Sequence, residues 1–135
     1  MARSKTNIRS AVLAQKQEVA RLFDELRAGS LDRSGEGVTR DTFGPGEQFG
    51  HRVIEGVAAR MGLERSRDHA ANLYMTLPGR DRTRPSIMMG SHIDSVANGG
   101  NYDGAAGVIA GLVATKALQS LGLRPEADVT TMGVR

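Results

Sequence analysis

Helices packed on a mixed β-sheet, an α/β layer fold, is the architecture this 135-residue sequence predicts, and three observations carry the prediction. Apolar residues recur at helical spacing in three separate segments. Short apolar runs bounded by Gly, Pro and polar residues lie between the second and third of these segments and again after the third. The third helical segment therefore joins two strands, and a strand-helix-strand crossover places such strands parallel in one sheet.

The first element runs from about Asn7 to Ala28, where Ile8, Val12, Val19, Leu22 and Leu26 share one helical face assigned to the core, and Gly29 ends the pattern. Ser30 to Gly46 is rich in Gly, Ser and charge and reads as irregular chain. A second helix spans roughly Glu47 to Met61, with Phe49, Val53, Ile54, Val57 and Met61 on one side and Gly62 as its stop. Asn72 to Leu77 and Ser86 to Ser91 read as strands. The segment between them, Pro78 to Pro85, has the turn chemistry of a hairpin and predicts that they pair antiparallel. Ile87, Met88 and Met89 in the second of these strands read as buried. The third helix, about Gly104 to Leu121, carries Val108, Ile109, Leu112, Leu118 and Leu121, while Gly107, Gly111 and Ala114 permit close packing on a sheet and Gly122 caps it. Pro125 separates it from a last strand near Asp128 to Val134, parallel to the strand that precedes the helix. No internal repeat is present.

Composition narrows the function classes. Hydrophobic residues at 39% and charged residues at 24% are ordinary for a globular domain. Aromatics are scarce at 4% and Trp is absent, so the core is expected to be small and built of Val, Leu, Ile, Met and Ala. The net charge of +3 comes from scattered arginines, with a local group at Arg80, Arg82 and Arg84. That group has no interleaved aromatic and reads as a solvated loop tip, so no nucleic-acid partner is expected. Cysteine is absent, which removes disulfides and thiolate ligands and directs any metal site to His and carboxylate. Met1 to Ser10 lacks an apolar signal core, and no run approaches the roughly 18 apolar residues of a membrane span. The expected location is cytoplasmic, with no membrane association.

Chemistry concentrates just past the run Ile87-Met88-Met89. If the backbone stays extended through His92, Asp94 lies two residues on and points to the same side, where its carboxylate accepts the second imidazole N–H. That contact fixes the tautomer and raises the basicity of the nitrogen left for a metal. Asp103 follows a glycine-containing segment and stands at the start of the third helix, where the positive end of the helix dipole favours an ionised carboxylate. Asp103 is equally suited to cap that helix. His51, within a helix, and His69, in a loop, read as structural or solvent-exposed.

The string GSHIDSVANGGNYDGAAGVIAGL, from Gly90 to Leu112, closely resembles the signature of the amidase, hydantoinase and carbamoylase branch of the dizinc metallopeptidase superfamily. Gly37-Val38-Thr39-Arg40, Asp68 and Asn72-Leu73-Tyr74 fall in the order that family leads one to expect, so the resemblance spans roughly residues 15 to 135. One departure is Asp68-His69-Ala70-Ala71-Asn72, where relatives often have Gly before the Asn of this turn.

The resemblance implies a metal-dependent hydrolase of non-peptide C–N bonds in carbamoyl or ureido compounds, of the N-carbamoyl-L-amino-acid or allantoate type. It implies that His92 binds one metal, that Asp103 bridges two, and that Asp94 is the catalytic-site residue supporting His92. Two divalent cations are implied, zinc first, with manganese or cobalt as substitutes. Thr39 and Arg40 match the family segment near the site. Residues 1–135 are expected to be the N-terminal part of the catalytic domain. A glutamate pair, two further histidines, the substrate-binding residues and a dimerisation domain lie elsewhere in family members, which implies a homodimer for the whole enzyme. A dizinc aminopeptidase or dipeptidase is the close competitor, and a non-catalytic binding module is the reading from another class.

Overall fold

The computed structural model describes residues 5–135, and within them four helices and four strands. In chain order these are α1 (Lys5–Leu13), α2 (Lys16–Ser30), α3 (Pro45–Arg60), β1 (Glu64–Arg67), β2 (Leu73–Leu77), β3 (Ile87–His92), α4 (Ala105–Ser120) and β4 (Val129–Val134). The strands form one sheet in the order β1-β2-β4-β3. The β1/β2 and β2/β4 pairs are antiparallel, while β3 and β4 are parallel, as the crossover through α4 requires. The fold is thus α/β with a mixed sheet.

The first predicted helix is two helices. The chain breaks at Ala14 and Gln15, with Gln15 at the start of α2 and its backbone N–H donating to Val12 O at 3.0 Å. Only α2 reaches the core through this face: Leu22 and Leu26 are buried, whereas Ile8 and Val12 on α1 are exposed. The helical period runs unbroken across the junction, so the pattern alone carries no sign of the break. α3 starts two residues earlier than its apolar pattern, because Pro45 at its first turn needs no N–H partner there and its fixed φ suits a helix start.

The hairpin is also corrected. β4 lies between β2 and β3, and residues 78–85 do not turn one strand onto the other. They are tied instead to the segment entering β4: Gly79 N–H donates to Asp128 Oδ1 at 2.8 Å, Arg80 N–H to Pro125 O at 3.0 Å and Asp81 N–H to Glu126 O at 2.9 Å. Arg82 of the arginine group bridges Glu64 and Asp128. Val129, Thr130 and Thr131 are buried, the pattern of a strand covered on both faces. Displaced from β2, β3 becomes an edge strand, and Ile87 and Met88 are 60% and 54% exposed rather than buried. β1, with the sequence Glu-Arg-Ser-Arg and every residue exposed, carries no apolar alternation from which to predict it.

The core between sheet and helices contains Leu26, Ile54, Ala58, Leu63, Leu73, Met75, Ile93, Val108 and Leu112. It is aliphatic, in keeping with the shortage of aromatics. α4 presses on the sheet through Gly107 and Gly111: a Cβ at these positions would come within 2.6 Å of Ser91 Cβ and 2.7 Å of Thr131 Cγ2. Ala114, expected in the same seam, is exposed. The Asp68 to Asn72 turn forms without its glycine, with Ala71 at φ 64° and both Asp68 oxygens holding Asn72, Oδ1 through the backbone N–H and Oδ2 through Nδ2. Among the described residues no helix is long and apolar enough to cross a membrane.

Candidate metal centre

The parallel pairing of β3 with β4 decides where the candidate site lies. His92 is the last residue of β3 and stands in register with Val134 at the end of β4. Its imidazole Nδ1 lies 3.1 Å from both Asp94 O and Asp94 Oδ1. An Nδ1–H shared between these acceptors leaves the Nε2 lone pair for a cation. The other carboxylate oxygen, Asp94 Oδ2, accepts the Thr42 hydroxyl at 3.1 Å. Both side chains remain partly open to solvent.

The residue that meets this imidazole is Gly104, which follows Asp103. Gly104 is the N-cap of α4, with φ 64° and no side-chain capping hydrogen bond, so Asp103 stands one position before the cap rather than at it. A Cβ on Gly104 would lie 2.5 Å from both His92 Cε1 and Nδ1. Glycine is required there twice over, by the left-handed backbone and by the ring pressed against it. The chain passes directly under the imidazole, and exposed Asp103 precedes the positive end of a 16-residue helix.

A second loop locks this segment in place. Val38 and Gly99 exchange backbone hydrogen bonds of 2.9 and 2.8 Å, Ser95 N–H donates to Arg40 O at 2.9 Å, and Arg40 N–H donates to Ser95 Oγ at 3.0 Å. Thr39 hydrogen-bonds Asp32 through its hydroxyl, which also accepts the Asn98 N–H at 2.9 Å. The Thr39 hydroxyl, with the Ser34 N–H behind it, draws the Asp32 carboxyl down to about 2. Arg40 is fully buried; its guanidinium donates to Asn101 Oδ1 at 3.1 Å and Asn101 O at 3.0 Å, two residues before Asp103. Burial lowers its pKa, and the charges of Asp103 and Asp94 oppose that shift. Both carboxylates therefore sit in the field of one buried guanidinium.

Behind this lies a buried group that sequence reasoning missed. Glu47, fully buried, accepts the Phe43 N–H at 2.5 Å and Arg135 Nη1 at 2.7 Å through Oε2. Its Oε1 is 3.9 Å from Nε2 of His51, four residues along α3. His51 is only 1% exposed, the structural one of the two readings, with the Glu47 carboxylate beside it. Burial, followed by the charges of Arg135 and Arg67, pushes its imidazole down to about 4. The signal available was an acid and an imidazole at i,i+4 on one helix. His69 is exposed and distant in sequence from these contacts.

The donor set at the strand ends suits a divalent cation of borderline softness: an imidazole with its second nitrogen tied to a carboxylate, and a further carboxylate nearby. Among the described residues, no three His, Cys, Asp or Glu side chains come together as a complete cation site.

The profile of Peptidase family M28 matches residues 72–134, which include β2, β3, α4 and β4. An N-carbamoyl-L-amino-acid amidohydrolase of Paenarthrobacter aurescens is 34% identical over 105 residues, covering 77% of this chain and 26% of that protein. A ureidoglycolate hydrolase of Arabidopsis thaliana is 28% identical over 123 residues, covering 91% of this chain and 26% of that protein. Among solved structures, an amidase of the hydantoinase/carbamoylase family from Burkholderia multivorans superposes with a TM-score of 0.81 at 25% identity, over 87% of this chain and 28% of that one. The chain spans about a quarter of the length of the relatives it matches. In sequence and in fold alike, the chain is related to the amidases of the hydantoinase/carbamoylase family.

Proposed function

We propose that the chain forms the N-terminal part of the catalytic domain of a metal-dependent amidohydrolase, one that cleaves the non-peptide C–N bond of carbamoyl or ureido compounds. The observation that carries this reading is the contact of His92 Nδ1 with Asp94, set over Gly104 at the mouth of a parallel strand pair. The relatives that share this segment include an N-carbamoyl-L-amino-acid amidohydrolase and a ureidoglycolate hydrolase.

In this reading His92 Nε2 and Asp103 would be among the groups that hold the divalent cations. Zinc is the cation, with manganese or cobalt able to replace it. When bound, the metal supplies Lewis acidity, polarising the substrate carbonyl and lowering the pKa of water. The chain's own residues supply order. Asp94 accepts the Nδ1 proton of His92 and so keeps the Nε2 lone pair available, and Thr42 fixes the second oxygen of Asp94. Arg40 clamps Asn101 and holds the approach to Asp103. The general base and the remaining ligands come from outside the described residues. A cytoplasmic homodimer belongs to the same reading.

The test is ammonia release from N-carbamoyl-L-amino acids and allantoate, with dipeptides as the comparison, using the product of the complete reading frame. Carbamoyl or ureido hydrolysis that His92→Ala abolishes is the expected result. Preferential peptide cleavage, or a His92→Ala variant of undiminished activity, contradicts the proposal.

A further inference from the structure

We propose that Glu47 is a positioning residue of the metal centre: from the first turn of α3 it braces the turn that carries Thr42, and through Thr42 it sets the Asp94 carboxylate that orients His92. This rests on the metal-dependent reading above and names a residue on which that site depends from a distance.

The turn runs from Asp41 to Gly44 and is closed by the Gly44 N–H donating to Asp41 O at 2.7 Å. Phe43 is its third residue, with a φ of 58°. That backbone suits Gly or Asn at this place in a turn and strains a bulky residue. The local sequence therefore does not favour the shape, and a contact from outside the turn has to hold it. Glu47 makes that contact. It is the third residue of α3, after the Gly44 cap, and reaches back so that its Oε2 accepts the Phe43 N–H at 2.5 Å, much as the acid of a capping box does. Between them, Gly46 seats the helix start on the preceding segment: a Cβ there would come within 2.3 Å of Thr39 O.

The brace is itself held. The same Oε2 receives Arg135 Nη1 at 2.7 Å, and Glu47 is fully buried, so the carboxylate cannot swing away without stranding a guanidinium. Arg135 also donates Nη2 to Gln48 Oε1 at 2.9 Å, Nε to Ala71 O at 3.2 Å and its backbone N–H to Asn72 Oδ1 at 3.0 Å. It follows Val134, the register partner of His92. One carboxylate thus joins the end of the strand beside His92 to the turn that carries Thr42.

From the turn a short path leads to the imidazole. Thr42 Oγ1 donates to Asp94 Oδ2 at 3.1 Å, and Asp94 Oδ1 lies 3.1 Å from His92 Nδ1. Thr42 is exposed, and a hydroxyl–carboxylate bond in reach of water adds little to stability. What it fixes is the direction of the carboxylate, and only while the turn keeps Thr42 in place.

The experiment measures zinc affinity by calorimetry in the product of the complete reading frame, with urea denaturation of every variant alongside. Glu47→Leu combined with Arg135→Met removes the brace and leaves no buried charge unpaired. It should weaken zinc binding about three- to tenfold, less than the 10- to 100-fold typical of a ligand's direct partner. Glu47→Gln keeps an oxygen for the Phe43 N–H and should stay within about twofold of the wild type, although it breaks the buried pair and destabilises the fold more. Thr42→Val, at the other end of the path, should lose as much affinity as the double change and add little to it when the three are combined. A merely structural Glu47 would make zinc affinity follow stability across the series, and the losses would add. Either of those results, or full zinc affinity in the double change or in Thr42→Val, overturns the proposal. A second measurement needs no metal: exchange of the His92 Nδ1 proton, followed by 15N NMR with labelled histidine. The wild type and Glu47→Gln should exchange more slowly than Thr42→Val and the double change. Equal exchange in all of them would sink the brace even where carbamoyl compounds are hydrolysed. The expected order in a protein that hydrolyses no carbamoyl compound would leave the brace standing and refute the hydrolase reading.

Discussion

Acidification to pH 4 should destabilise this chain through one residue, His51. Its ring is buried beside Glu47 and Gly133, and that burial, followed by the field of the Arg135 guanidinium, holds its folded-state pKa at about 4. An unfolded chain binds a proton at this residue near the ordinary value of 6.5. Above pH 6.5 both states are neutral there and stability is at its full value. Between 6.5 and 4 the unfolded chain takes up a proton that the folded one refuses, so stability falls as pH falls. A difference of 2.5 pH units at about 1.36 kcal/mol each makes the full loss roughly 3 kcal/mol. That is a large share of the stability of a small domain. Urea denaturation at pH 7.5, 6.5, 5.5 and 4.5, for the wild type and for His51→Gln, isolates the effect. The difference between the two proteins should move by about 2 kcal/mol between pH 6.5 and 4.5, with the wild type the more acid-sensitive. Asp32, drawn down to about 2, loses its contribution only as pH falls below its ordinary 3.8, outside this window. A difference curve that is flat across the window would refute the assignment of a buried neutral imidazole.

Three further outcomes follow from particular contacts. Gly104→Ala places a methyl 2.5 Å from the His92 ring at a φ of 64°, and should lower stability by ~1–2 kcal/mol and weaken zinc binding at least about tenfold, measured by thermal melting and calorimetry. Ala71→Gly relieves a left-handed alanine at φ 64°; after the greater chain entropy of glycine is subtracted it should raise stability by ~0.5–1 kcal/mol, visible as a higher Tm, and a lower Tm would count against the strained turn. Glu47→Gln leaves the buried Arg135 guanidinium without its carboxylate and should cost about 3–5 kcal/mol in urea denaturation, while the double change Glu47→Gln with Arg135→Met should cost less than Glu47→Gln alone.

How far the sequence could be read depended on the range of each interaction. α3, α4 and the parallel pairing of β3 with β4 rest on local periodicity and on the handed crossover, and both are legible from residues close together in the chain. The break at Gln15 is silent because Val12 and Val19 keep helical phase across it. The hairpin failed because Pro78 to Pro85 has the right composition for a turn, while the partners it uses, Pro125, Glu126 and Asp128, lie some 45 residues on. Once β4 had taken the place beside β2, Ile87 and Met88 were left at an edge. At the site, His92 with Asp94 was legible because a spacing of two on extended chain fixes the side. Thr42, Glu47 and Asn101 were not, since their roles depend on loops that meet 50 to 90 residues apart. The buried acid and imidazole on α3 left one trace, a spacing of four.

The central claim is that His92 offers Nε2 to a divalent cation while Asp94 holds the Nδ1 proton. Imidazole 15N NMR during a zinc titration of this chain tests it most directly, with Asp94→Asn alongside. The account predicts that zinc shifts His92 Nε2 to a metal-bound value while Nδ1 stays protonated, and that Asp94→Asn weakens zinc binding about 10- to 100-fold without unfolding the chain. Zinc bound at Nδ1, or a His92 ring untouched by zinc while other histidines respond, would contradict it.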